Sequence, residues 1–120
     1  MHILIVDDCR IKQVLLAGIL KDLGHTCDIA SDGAEAISAL EKNNFSLVLM
    51  DCWMKVIDGI EATRIIRSPE SKVRNHDIPI VCISSHAVEN KVHFCLKAGI
   101  QEYLEELSCE SVASVISRWA

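Results

Sequence analysis

Hydrophobic positions along the chain fall into two alternating kinds of segment. "HILIV" (2–6), "TCDIA" (26–30), "FSLVLM" (45–50), "IPIVCIS" (78–84) and "IQEYL" (100–104) are short and mostly strand-favouring. Helix-period stretches lie between them. Residues 10–24 carry Ile11, Val14, Leu15, Ile19 and Leu23, expected on one buried face, with Gly24 as the stop. Residues 32–43 group Ala36, Ile37 and Leu40, and residues 58–67 run from Asp58, a candidate N-cap, into arginines. Residues 88–99 close on Gly99. Residues 109–120 are amphipathic through Val112, Val115, Ile116 and Trp119, with Ser108 as a candidate N-cap.

Five strands alternating with five helices predict an α/β fold, a doubly wound parallel sheet, as a single domain over 1–120. The first, third and fourth strands are nearly continuous in apolar residues, as strands covered on both faces should be. The second and fifth are mixed, which places them at or near the edges. "SPESKVRNHD" (68–77) reads as a solvated loop without chemistry, and no repeat or linker interrupts the pattern.

Composition narrows the choice. With 50% of 120 residues hydrophobic, the chain sustains a core without staples. A net charge of -5 argues against nucleic-acid binding, which needs a basic face, and suits a cation or a basic partner. No apolar run approaches the roughly 20 residues that span a bilayer, so no membrane contact is expected. The six cysteines (9, 27, 52, 82, 95 and 109) include no CxxC pair. They are expected to be reduced, mostly structural thiols in a cytoplasmic setting.

In open α/β sheets, sites form at the carboxyl ends of the strands. Those ends carry Asp7 and Asp8, then Asp51, then Ser84 and Ser85, then Tyr103, Glu105 and Glu106. If the first and third strands are adjacent, Asp7, Asp8 and Asp51 converge. Like charges that close repel unless protons or a cation neutralise them. Mg²⁺, which takes carboxylate, water and phosphate oxygens, is the economical solution. A cap role for Asp7 and Asp8 would leave Asp51 unexplained. Ser84 alone reads as a turn residue, but beside such a cluster its hydroxyl could bond a phosphoryl oxygen.

"ILIVDD" (3–8), "LVLMDCWM" (47–54), "DGIEATRIIR" (58–67), "IPIVCISSHA" (78–87) and "AGIQEYL" (98–104) occur in that order. With them the chain resembles the receiver domain of two-component response regulators, and most of all the receivers of hybrid histidine kinases. The resemblance implies a (βα)5 flavodoxin-like fold with strand order 2-1-3-4-5. It implies that Asp51 is the phosphoacceptor, taking a phosphoryl group from a histidine kinase or a histidine phosphotransfer domain. Asp7, Asp8 and Asp51, with the backbone carbonyl of Trp53, would hold Mg²⁺ or Mn²⁺. Ser84 would contact the phosphoryl group, and Tyr103 would be the aromatic that changes rotamer on activation. The signal would leave by altered protein contacts, as a homodimer or by intramolecular docking, through the fourth helix, fifth strand and fifth helix. No independent enzyme is expected of such a domain, and the hybrid-kinase style favours excision from a longer protein.

The chain departs from this pattern in one consequential place. The usual Lys-Pro after the fifth strand is replaced by Glu106-Leu107, and no lysine follows Lys97. An anion therefore stands where a phosphate-binding cation is expected, and the proline-fixed turn is lost. Lys55, where proline is usual, could restore some positive charge. Either phosphorylation persists with altered coupling to the output, or the domain is a degenerate receiver, a phosphorylation-independent protein-binding module. Retention of Asp7, Asp8, Asp51 and Ser84 favours the first.

Other functions on this fold lack their chemistry. A flavodoxin-like FMN carrier needs a Ser/Thr/Gly-rich phosphate loop after its first strand, where this chain has "DDCRIK", and aromatic residues are only 4%. A hydrolase would need a G-x-S-x-G elbow, which is absent, and His86 beside Ser85 reads as a surface residue. A haloacid dehalogenase-type phosphatase would show D-x-D where the chain reads "DDC".

Overall fold

The computed structural model describes residues 1–51, 59–83, 96–104 and 107–119. Five strands form one parallel sheet: β1 (His2–Val6), β2 (Thr26–Ala30), β3 (Leu47–Met50), β4 (Ile80–Ile83) and β5 (Glu102–Leu104). Their order is β2-β1-β3-β4-β5, so the mixed strands are the edges, as their sequences imply. Three helices, α1 (Arg10–Asp22), α2 (Gly33–Lys42) and α3 (Gly59–Arg67), and a C-terminal helix (Cys109–Trp119) cover the sheet. Residues 96–98 are also helical. The rest of the helix expected over 88–99, and the Asp58 cap, lie outside the described residues.

The central strands are apolar on both sides because both sides are covered. Leu4, Val6, Val48, Met50, Ile80 and Cys82 pack with Ala36 and Leu40 of α2 and with Ala62 and Ile66 of α3. On the other face Ile3, Ile5, Leu47, Leu49 and Val81 meet Leu16, Ile19 and Leu20 of α1, and Val112, Val115 and Ile116 of the C-terminal helix.

Local signals account for the ends. Asp32 caps α2 by accepting from the Glu35 amide at 2.8 Å, and Ser108 caps the C-terminal helix by accepting from the Ser111 amide at 3.0 Å. Gly24 ends α1 at φ +86°, a conformation that L side chains rarely adopt. Arg67 does more than complement the end of α3. Its guanidinium donates to the carbonyls of Gly99 and His76 and to Gln101 Oε1, tying the 68–77 loop and the turn before β5 to the helix. Burial lowers the Arg67 pKa, and Asp77 opposes that shift.

Two expectations are corrected. The buried residues of α1 are Gln13, Leu16, Ile19 and Leu20. Ile11 is 79% exposed and Val14 60%, with Leu15 and Leu23 exposed too. Apolar residues lie nearly all round this helix, so periodicity alone does not choose the face. Gln13 can point inward because the Asp7 carbonyl and Ser31 Oγ satisfy its amide. Second, Cys82 is disulfide-bonded, whereas Cys9, Cys27 and Cys109 are free. Sequence spacing excludes only local pairs. Folding brings residues distant in sequence together.

Candidate functional site

The parallel ladders continue one residue past β1 and β3. The Asp7 amide donates to the Ala30 carbonyl at 3.1 Å, and the Asp51 amide to the Val6 carbonyl at 2.8 Å. These bonds set the two aspartates side by side at the carboxyl rim. One carboxylate oxygen each from Asp7, Asp8 and Asp51 lies within 4.8 Å of the others. Asp7 and Asp51 are buried and Asp8 is exposed, so the cluster opens to solvent on one side. Asp7 is held twice: its Oδ1 accepts from the Cys9 amide at 2.8 Å, and its carbonyl accepts from Gln13 Nε2 at 2.6 Å.

This arrangement concentrates negative charge. Burial pushes the Asp7 pKa above the usual carboxylate range, and the charges of Asp51 and Asp8 push the same way. The bond from the Cys9 amide and the Lys12 ammonium oppose the rise. Lys12 Nζ is 3.9 Å from both Asp7 Oδ2 and Asp51 Oδ2. Three clustered hard oxygen donors fit a divalent cation such as Mg²⁺.

Of the residues expected at the site, the fold therefore unites Asp7, Asp8 and Asp51. Tyr103, opposite Cys82 in the β4–β5 register, packs against the core on the α2–α3 side, and its buried hydroxyl has no hydrogen-bond partner among the described residues. Trp53, Lys55, Ser84, Ser85, His86, Glu105 and Glu106 lie outside the described residues. Leu107 packs against the core on the α1 side. Two site residues escaped the sequence reading, Gln13 and Lys12. A signal for Lys12 existed: Arg10 and Lys12 put cations in the first turn of α1, which has no acid there. The helix dipole disfavours that placement unless anions lie close by.

The model of the response regulator receiver domain family matches residues 3–106. The chain belongs to that family. This receiver is 33% identical over 119 residues to the sensor protein GacS of Pseudomonas syringae pv. syringae, covering 98% of this chain and 13% of that protein. It is 34% identical over 106 residues to the sensor histidine kinase RcsC of Escherichia coli (strain K12), covering 88% of the chain and 11% of RcsC. The receiver thus spans a small part of the curated relatives it matches. Among solved structures it is similar to the receiver domain of a sensor histidine kinase from Pseudomonas aeruginosa PAO1, with TM-score 0.87 and 29% identity, covering 98% of this chain and 95% of that one. That relative has a magnesium ion coordinated in its active site cleft. The chemotaxis protein CheY4 of Vibrio cholerae shares the fold, with TM-score 0.88 and 22% identity over 99% of this chain and 98% of its own.

Proposed function

We propose that Asp51 is the phosphoacceptor of this receiver and that its phosphoryl group comes from a phosphohistidine on a histidine kinase or histidine phosphotransfer domain. The observation that carries this reading is the Asp51 amide bond to Val6, which stations a carboxylate at the rim beside Asp7 and Asp8. An Asp51 oxygen attacks phosphorus and the P–N bond breaks. The nitrogen keeps the bonding pair, and with one proton on its ring the histidine leaves neutral. An acyl phosphate remains on Asp51. Asp7, Asp8 and Asp51, with the Trp53 carbonyl, would hold Mg²⁺, or Mn²⁺ in its place, which when bound offsets charge on the transferring phosphoryl group.

Other residues have narrower tasks. The Gln13 and Cys9 bonds keep Asp7 aimed at the rim. Ser84, next after β4 in the chain, donates its hydroxyl to a phosphoryl oxygen. Tyr103 changes rotamer on activation, an account supported by its buried hydroxyl, which has no partner among the described residues. Glu106, standing in for lysine, weakens coupling to contacts made through β5 and the C-terminal helix. The donor approaches over the start of α1, because α1 begins beside the acids and exposes Ile11, Val14 and Leu15 within its first turns.

Intact mass after incubation with acetyl phosphate and saturating Mg²⁺ tests the assignment. The wild-type domain gains one phosphoryl group and Asp51→Asn gains none. A wild-type chain that never gains the group would make the domain a phosphorylation-independent binding module. Equal labelling of Asp51→Asn would move the acceptor elsewhere.

A further inference from the structure

We infer that Lys12, from the first turn of α1, is the cation that contacts the phosphoryl group on Asp51. The inference rests on Asp51 as acceptor and names the residue that offsets the charge brought there. Lys12 Nζ is equidistant, at 3.9 Å, from Asp7 Oδ2 and Asp51 Oδ2. That distance gives Coulomb attraction but exceeds the roughly 2.8 Å of a charge-assisted hydrogen bond. The ammonium is therefore drawn to both acids with its three donors uncommitted to either. An oxygen added beyond Asp51 Oδ2 enters the space such a donor can reach on its flexible stem.

Placement argues the same way. The N-terminal turn of a helix is an unfavourable place for a cation, and the three acids are what offset this here. The Lys12 side chain is about one third exposed, so its head reaches the rim from the solvent side without a buried charge to stabilise. The sequence has no lysine after Lys97, so the segment that follows β5 supplies no ammonium for this task. Phosphorylation adds negative charge to a cluster that already holds three carboxylates, and a cation facing two of them is positioned to meet it.

Beryllofluoride, a tetrahedral phosphoryl mimic that bonds a carboxylate oxygen, is the probe. Its affinity is measured by tryptophan fluorescence at saturating Mg²⁺, and Mg²⁺ affinity is measured separately by calorimetry. Loss of one charge-assisted contact predicts that Lys12→Met and Lys12→Gln bind beryllofluoride about tenfold more weakly. Lys12→Arg recovers most of the affinity, and Mg²⁺ affinity does not fall in any variant. Unchanged beryllofluoride affinity with tightened Mg²⁺ binding in the neutral variants would reduce Lys12 to a counter-ion of the acids and overturn the inference. A wild-type chain that neither binds beryllofluoride nor takes a phosphoryl group from acetyl phosphate would overturn the Asp51 reading as well. Wild-type binding matched by both neutral variants would overturn the Lys12 role alone.

Discussion

Asp7 is nearly buried yet stands within ligand distance of two other carboxylates, and its pKa is raised first by burial and then by Asp51 and Asp8. A carboxyl whose folded pKa lies above its unfolded value favours folding only while protonated. Its full contribution is present below the unfolded pKa and is lost as pH rises through the folded one. At neutral pH without metal, ionised Asp7 therefore costs stability. Asn is nearly isosteric and its oxygen can keep the bond from the Cys9 amide. Asp7→Asn is expected to be more stable than wild type by about 1 kcal/mol at neutral pH in chelator, or about 4 °C in Tm. The gain should vanish in acid, below the ordinary carboxylate range. Thermal unfolding across pH, with EDTA throughout, checks it, and a variant less stable at neutral pH would refute the account. The variant should also lose Mg²⁺-dependent labelling of Asp51, since a site residue can be costly to the fold and necessary to the chemistry.

At the scale of elements, β5 is an edge strand of only three residues, and the Glu102 side chain ties it to the C-terminal helix. Arg118 donates to both carboxylate oxygens, and Trp119 Nε1 donates to Oε2 at 2.8 Å. Partial burial pushes the Glu102 pKa up, but the bonds from Arg118 and Trp119 outweigh it and hold the carboxyl below its usual range. A depressed acid contributes stability above its unfolded pKa and loses it as pH falls through the folded value. Glu102→Gln should cost about 1 kcal/mol at neutral pH, discounted because Arg118 is half exposed. Urea titrations should show the difference closing as pH drops through and below the usual Glu range, and a constant gap would mean packing, not charge, holds the pair. The outer strands are legible in the sequence because Leu47–Met50 is wholly apolar while Thr26–Ala30 is mixed, a contrast that sheet burial imposes directly, whereas the full strand order rests on the resemblance to receiver domains. The α1 face did not follow, because a helix with apolar residues on most sides is oriented by its partners. There the deciding fact was a long-range one, the acceptance of Gln13 by the Asp7 carbonyl. Asp7, Asp8 and Asp51 were readable because each ends or follows a strand, whereas Lys12 becomes part of the site only once α1 is docked.

Across the whole molecule, the acids and the exposed face of α1 lie in continuity. The chain passes from Val6 through Asp7 and Asp8 to the start of α1 within four residues, so a protein that brings phosphorus to Asp51 must cover this corner. Ile11, Val14 and Leu15 are exposed there, whereas the corresponding apolar residues of the C-terminal helix are buried. A small-molecule donor needs only the rim; a protein donor also needs a surface to rest on. Val14→Lys alters that surface without touching the core or the acids. It should leave the rate of labelling by acetyl phosphate unchanged and slow transfer from a phosphorylated histidine phosphotransfer domain about tenfold, as loss of a central apolar contact does. The two rates, measured side by side on protein of unchanged Tm, separate the causes. Equal slowing with both donors would mean that the substitution disturbs the rim. Slowing with neither would remove α1 as the donor-facing surface, and the search would pass to the elements flanking β4 and β5.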